Sequence, residues 1–501
     1  MEKKNVFAKL VVAAMSVVAA GCATDGDEGG VLYEPGLVEK AYYNSPDGEA
    51  GEGNRFADVA ENPFVDVDKQ PVSTFSVDAD GASYAVMRRY LASGYSVNAA
   101  SVRIEEYLNY FTFDYPSPAA GHAVGADAEV GQCPWAKNHW LLRLGLKGKP
   151  LADSEVPQAN FVFLIDVSGS MDSTDKLPLL KSGLKALLHE LKPTDRISII
   201  TYSGEVKKLL ESTPVKEIGT ITTAIDKLTA SGCTAGGEAL KMAYEEALAN
   251  YNPACNNRVI MGTDGDFNVG VTNTDALVEM VESYAKKGIY MTCLGFGWGN
   301  LNDAMMEKIS NSGNGTYNYI DSEDEMMKVF VHERQQFVSV ANDVKCQVTF
   351  DPAQVSQYRL IGYENRVLDN EDFENDEKDA GEIGAGQTVT ALYELVPAKK
   401  FGDNDGKPLA IFDVRYKKAL NEASIPLSVE VWPFTESLSN NLNLAAGVAA
   451  YGMLLRNSEY KGDATFDMAS DLVSKSLGFD PGNSRRQLLG LIYNAKEGKL
   501  R

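Results

Sequence analysis

Between residues 158 and 335 the chain alternates short, wholly apolar runs with stretches in which leucine or isoleucine recurs every third or fourth residue. Phe161-Val-Phe-Leu-Ile165 carries no polar side chain, as expected of a strand buried on both faces. Leu177, Leu180, Leu184, Leu187, Leu188 and Leu191 follow at helical spacing, and Lys192-Pro193 closes that helix. Further strands are predicted at 197–202, 259–261, 289–296 and 316–320, with helices at 218–228, 238–250, 276–287, 303–310 and 323–337. Such an order dictates a doubly wound, mostly parallel sheet covered by helices. Ligands of these sheets bind beyond the carboxyl ends of the strands, at a topological switch point.

Two of the predicted strands end in aspartate. Asp166 opens Asp-Val-Ser-Gly-Ser, which puts Ser168 and Ser170 just past the strand end, and Asp264 follows Ile-Met-Gly-Thr. Thr234 sits in the Gly-rich stretch Ser-Gly-Cys-Thr-Ala-Gly-Gly. Two carboxylates and three hydroxyls form an all-oxygen set suited to a hard divalent ion such as Mg²⁺. Two negative charges only balance such an ion, so the site stays electrophilic toward an incoming carboxylate. A Ser/Gly turn capping the next helix would explain Asp166, Ser168 and Ser170 alone. It leaves Thr234 and Asp264 without a reason.

On these residues the stretch 158–335 resembles a von Willebrand factor A (VWA) domain, and the five positions match that family's metal-ion-dependent adhesion site. The resemblance implies that Ser168, Ser170 and Thr234 reach the metal through their hydroxyls, while Asp166 and Asp264 contribute directly or through water. The metal would be Mg²⁺, or Mn²⁺ or Ca²⁺, and the last coordination position would take an acidic side chain of a partner protein. The segments Val72-Ser-Thr-Phe-Ser-Val-Asp-Ala-Asp-Gly-Ala-Ser-Tyr84, Val102-Arg-Ile-Glu-Glu106 and Leu360-Ile-Gly-Tyr-Glu-Asn-Arg366 are similar to segments of a bacterial envelope lipoprotein family, the YfbK type. The fold class implied is multidomain α/β, with a Rossmann-like VWA domain flanked by a β-sandwich-like region and a C-terminal helical segment.

The first residues speak to location. Lys3, Lys4 and Lys9 precede an apolar run from Leu10 to Ala20, which has the length of a signal-peptide core and is short for a membrane span. The run ends Val-Ala-Ala-Gly-Cys22, which resembles the lipobox of bacterial lipoproteins and implies that Cys22 is lipidated. The alternative is an ordinary secreted protein cut at an Ala-x-Ala site. The lipoprotein reading places the chain in the cell envelope, anchored to a bacterial membrane (the outer membrane), facing the periplasm or the surface. The expected organisation is a leader at 1–21, an acidic Gly-rich tether at 22–60 and a VWA-associated domain at 61–157. The VWA domain at 158–335, a β-rich domain at 336–435 and a helical region at 436–501 complete it. Strands near 125–150 and within 342–434 are expected to share one sandwich, because neither stretch supplies two full sheets.

A net charge of −23, or −25 once the leader's three Lys and one Glu are removed, gives no attraction to nucleic acid or anionic lipid. The cysteines lack Cys-x-x-Cys spacing, which argues against a structural zinc. Only His122, His139, His189 and His332 exist, none beside a convincing nucleophile, so no enzyme is expected. Ser76, Asp78, Asp80 and Gly81 fall at positions 1, 3, 5 and 6 of a calcium-loop pattern. Met87 stands where that pattern needs Glu, so Asp80 is expected to cap the following helix instead. The reading is therefore a lipid-anchored envelope protein with a metal-dependent site for an acidic residue of a protein partner. A scaffold that uses the metal to pack its own domains is the alternative, and a metal-assisted hydrolase a third.

Overall fold

The computed structural model describes residues 53–57, 60–232, 237–265, 274–398, 406–433 and 438–496. Cys22 and Thr234 lie outside them. The central domain is a six-stranded sheet in the order Thr316–Ile320, Ile289–Phe296, Asn256–Thr263, Ala159–Asp166, Arg196–Tyr202, Val206–Pro214. All neighbours are parallel except the last pair. Alternate side chains of the central strand explain its apolar run. Val162 and Leu164 enter one buried cluster, while Phe161, Phe163 and Ile165 enter the cluster on the opposite face. The chain leaves Ala159–Asp166 for a strand on one side and returns to Asn256–Thr263 on the other, so the switch point lies at the carboxyl ends of these strands.

Chain stretches on either side of this domain build a common β-sandwich. Trp140–Gly148 pairs antiparallel with Thr388–Pro397, Leu144 opposite Ala391, within a five-stranded sheet. Val72–Ser76 pairs with Ser339–Phe350 in the facing sheet. Phe75, Leu142, Leu146, Val348, Tyr393 and Phe412 fill the space between the sheets. The expected pairing across the central domain is present, and the pieces 61–157 and 336–435 contribute strands to the same sheets. The helix Asn440–Arg456 packs with Leu141, Ile361 and Leu392 on the outer face of the five-stranded sheet, and Phe466–Lys475 and Ser484–Lys496 complete that helical layer.

One helix, Ala82–Ala92, joins the two halves. Ala82, Ala85, Val86 and Tyr90 enter the core of the central domain, beside strand Thr316–Ile320. Tyr84, Met87 and Leu91 enter the helical layer. The two sets each recur at helical spacing on different faces.

One strand was not expected, and two expectations are corrected. The strand Val206–Pro214 escaped the sequence reading because it is an edge strand with exposed Lys207 and Lys208 and register shifts against Arg196–Tyr202, so pairing rather than pattern defines it. The helix expected over 323–337 breaks into a helix Glu323–Met327, a wide turn Lys328–His332 and a 3₁₀ turn Arg334–Phe337. Phe330 and Phe337 meet each other and reach Phe163 and Phe161 respectively, so tertiary packing overrides the local pattern. Asp80 does not cap Ala82–Ala92: Gly81 holds that position without a side-chain cap. Asp80 Oδ1 instead accepts from the Tyr317 backbone N–H at 2.9 Å.

Candidate metal centre

The adjacent strands Ala159–Asp166 and Asn256–Thr263 deliver Asp166 and Asp264 side by side, both fully buried. Asp166 Oδ1 accepts from the Ser168 backbone N–H at 2.8 Å and Oδ2 from the Thr263 hydroxyl at 3.1 Å. These bonds turn the chain sharply after the strand and leave the Ser168 and Ser170 hydroxyl oxygens 3.0 Å apart. The Gly-rich segment is tied to the same turn, since Ser231 N–H donates to Val167 O at 2.7 Å and Gly169 N–H to Gly232 O at 3.0 Å. Four of the five predicted residues are thus brought together. The fifth, Thr234, lies outside the described residues, two positions past Gly232.

Electrostatics separate the two carboxylates. Burial pushes the Asp166 carboxyl up to about 6, against the hydrogen bonds from Ser168 and with the Asp264 charge adding to the rise. Burial acts on Asp264 too, but the Lys176 ammonium and hydrogen bonds from Lys176, Ser170 and Asn300 outweigh it and hold its carboxyl below the ordinary value. Lys176 Nζ donates to Asp264 Oδ2 at 2.9 Å and to Ser170 O at 3.0 Å.

Sequence reasoning missed Lys176, although a signal was there. It stands at the amino end of the helix Leu177–Glu190, where a cation opposes the helix dipole and needs another reason to be present. The lysine is only 8% exposed, which a lysine tolerates only when paired. Gly297, at φ +70°, makes room for it, because a Cβ there would lie 1.9 Å from Lys176 Cε. Gly265, at φ +97°, lets the turn after Asp264 press onto Asn302, whose backbone N would lie 2.5 Å from an added Cβ.

The donors fit a hard divalent ion: they are oxygen only, the two hydroxyls face one another, and among the described residues no cation ranks among the foremost influences on the Asp166 carboxyl. With Lys176 already offsetting Asp264, one net negative charge remains to face such an ion.

Three family models match the chain. The family model described as von Willebrand factor type A domain matches residues 160–332, one described as von Willebrand factor matches 50–143, and one described as uncharacterized protein YfbK, C-terminal, matches 335–497. The chain is 30% identical over 206 residues to inter alpha-trypsin inhibitor, heavy chain 4, of Mus musculus, covering 38% of this chain and 21% of that protein. The solved von Willebrand factor type A structure from Catenulispora acidiphila is similar over 74% of this chain and 89% of its own, at 16% identity and a TM-score of 0.43. The chain is 37% identical over 466 residues to uncharacterized protein YfbK of Escherichia coli strain K12, which spans 87% of this chain and 80% of that one. By that extent of identity, and by the match of its last third to the YfbK C-terminal model, the chain belongs to the YfbK family of VWA-domain proteins.

Proposed function

We propose that the chain is a lipid-anchored protein of a bacterial cell envelope whose central domain grips an acidic side chain of a partner protein through a bound divalent ion. VWA domains typically mediate protein–protein interactions, and the domain model covers the whole central sheet. The observation that supports the finer reading is the meeting of Asp166, Ser168, Ser170 and Asp264 at two neighbouring strand ends, with Lys176 already paired to Asp264. Mg²⁺, or Mn²⁺ or Ca²⁺, bound there would leave the site net positive, which favours a carboxylate ligand from outside. Ser168, Ser170 and Thr234 would hold the ion, with Asp166 and Asp264 beside it.

Binding is favoured over catalysis by the placing of the bases. His122 bonds to Tyr416 and His139 to Glu394, both in the sandwich, while His189 and His332 flank the Glu190–Arg334 ion pair at the carboxyl end of the helix Leu177–Glu190, away from the strand-end site. The test is capture of partners from envelope extract by the wild-type protein and by Asp264→Ala, with Mg²⁺ and after EDTA. A partner held only by the wild type, and only with Mg²⁺, is the expected result. Capture indifferent to both EDTA and the substitution would end this reading.

The anchor has its own test. No helix among the described residues is long and apolar enough to cross a membrane, and we assign attachment to lipid on Cys22. Two or more acyl chains hold a protein stably at a bilayer, whereas one does so only marginally. Cys22→Ala is expected to leave the protein uncleaved or soluble on fractionation. A mature, detergent-dependent membrane protein from that variant would exclude the anchor.

A further inference from the structure

The calcium-like motif that fails as an EF-hand does not end in solvent. The loop Ser76–Gly81 leads from a sandwich strand into the helix Ala82–Ala92, and its Asp78 lies against two carboxylates from elsewhere. One oxygen each of Asp78, Glu106 and Glu307 falls within 4.8 Å of the others, and all three residues are buried. Asp80 and Glu105 adjoin them: the foremost charges acting on Asp80 are those of Asp78 and Glu106, and those acting on Glu105 are Glu364, Asp78 and Glu106. Arg366 donates to Asp78 at 3.1 Å, and Arg103 pairs with Glu106 and, at 2.6 Å, with Asp303. Three guanidinium groups, those of Arg103, Arg366 and the Arg456 that pairs with Glu364, therefore face seven carboxylates, those of Asp78, Asp80, Glu105, Glu106, Asp303, Glu307 and Glu364.

The cluster also holds oxygens that nothing satisfies. Asp80 is 3% exposed and Glu105 1%, yet Asp80 Oδ2 and Glu105 Oε2 have no hydrogen-bond partner among the described residues. Buried acceptors are normally paired, and unpaired buried carboxylates are costly. A cavity of about 150 Å³ opens on the Asp78 and Asp80 side of the cluster, with Ser76 and Arg366 also on its wall. That is room for an ion and its waters.

We propose that this junction is a second cation site, distinct from the strand-end set, in which the Asp78–Glu106–Glu307 triad and the unpartnered oxygens of Asp80 and Glu105 bind a divalent ion of the Ca²⁺ class. Ca²⁺ accepts six to eight oxygens in flexible geometry, whereas Mg²⁺ demands a strict octahedron and keeps its waters. The ligands come from three parts of the fold: the loop after strand Val72–Ser76, the helix Ile104–Asn109, and the helix Asp303–Ser312 of the central domain. A bound ion therefore clips the VWA domain to its flanks, and does so whether or not the strand-end site binds metal.

The test uses the EDTA-stripped full chain and Ca²⁺ itself, followed by calorimetry and thermal melts. A variant with Asp166→Ala and Asp264→Ala removes the strand-end site. It is expected still to bind Ca²⁺ and to melt at a higher temperature with Ca²⁺ than without. Adding Asp80→Asn, or Glu105→Gln should the first fail to fold, is expected to weaken that binding by about tenfold or more. Ca²⁺ uptake by the wild-type chain that disappears with Asp264→Ala alone, or uptake indifferent to both Asp80→Asn and Glu105→Gln, overturns the proposal. So does a folded double variant that binds none.

Discussion

Asp264→Ala is expected to lower the affinity of the strand-end site for Mg²⁺ or Mn²⁺ by about 100-fold or more, a loss at the upper end of what removing a residue that supports a metal site costs. The substitution acts twice. It removes one of two carboxylates, and it frees the Lys176 ammonium that Asp264 now holds at 2.9 Å. That ammonium is buried beside Ser170 O, so its charge would repel an incoming cation at short range. Asp166→Ala removes charge without freeing a lysine, and its effect should be somewhat smaller. Thr234→Ala loses only a neutral hydroxyl that water can replace, and about tenfold is expected. The fold should persist in all three, since Asp166 and Asp264 lie at strand ends and Thr234 falls in a Gly-rich stretch of the sequence. Calorimetry across the series gives the order directly, and partner capture should fall in the same order. Unchanged metal affinity in Asp264→Ala would refute the site.

A chain cut to residues 158–337 is expected not to yield a stable VWA domain, although it contains every strand of the central sheet. The helix Ala82–Ala92 would be missing, and with it the cover over the strand Thr316–Ile320, whose Tyr317 and Tyr319 share its buried cluster. Tyr90 meets Trp298 edge-on at 4.4 Å between ring centres, and that contact would go too. Asp321 and Glu325, both nearly buried, would lose Arg88, which reaches them at 2.5 and 2.7 Å. Removing one side of a buried ion pair leaves an uncompensated charge, which costs about 3–5 kcal/mol. An exposed apolar face of this kind binds hydrophobic dyes and aggregates. In the full chain, Tyr90→Ala isolates part of the effect and should cost about 3–5 kcal/mol by analogy with other buried aromatics. Dye binding, protease sensitivity and thermal melts measure both. A soluble, cooperatively melting fragment would show that the helix is dispensable.

How far the sequence reached depended on how local each signal was. Phe161-Val-Phe-Leu-Ile165 could only be a strand covered on both faces, because no side of it tolerates water, and both faces are in fact covered. Asp166 and Asp264 were legible as a pair because parallel strands in such a sheet bring their carboxyl ends to one edge. The sharing of one sandwich followed from each flank's lack of a second sheet, but the neighbours did not: Trp140–Gly148 and Thr388–Pro397 are adjacent only because the chain between them folds away.

Other features depended on distant segments. The place of Lys176 at a helix amino end was a signal, but its partner was not legible until Gly297 and Asp264 closed around it. Asp80 looked like a helix cap, and only the arrival of Tyr317 and Glu106 from distant segments gave it a different neighbourhood. The helix Ala82–Ala92 carries two apolar faces, and the sequence could not say which body each would meet. Hydrophobic periodicity is set by a residue's own neighbours along the chain, so it located most elements of the central domain and the strand ends at which Asp166 and Asp264 meet. Charge pairing, edge strands and shared helices depend on which elements pack together, and that choice belongs to the tertiary structure.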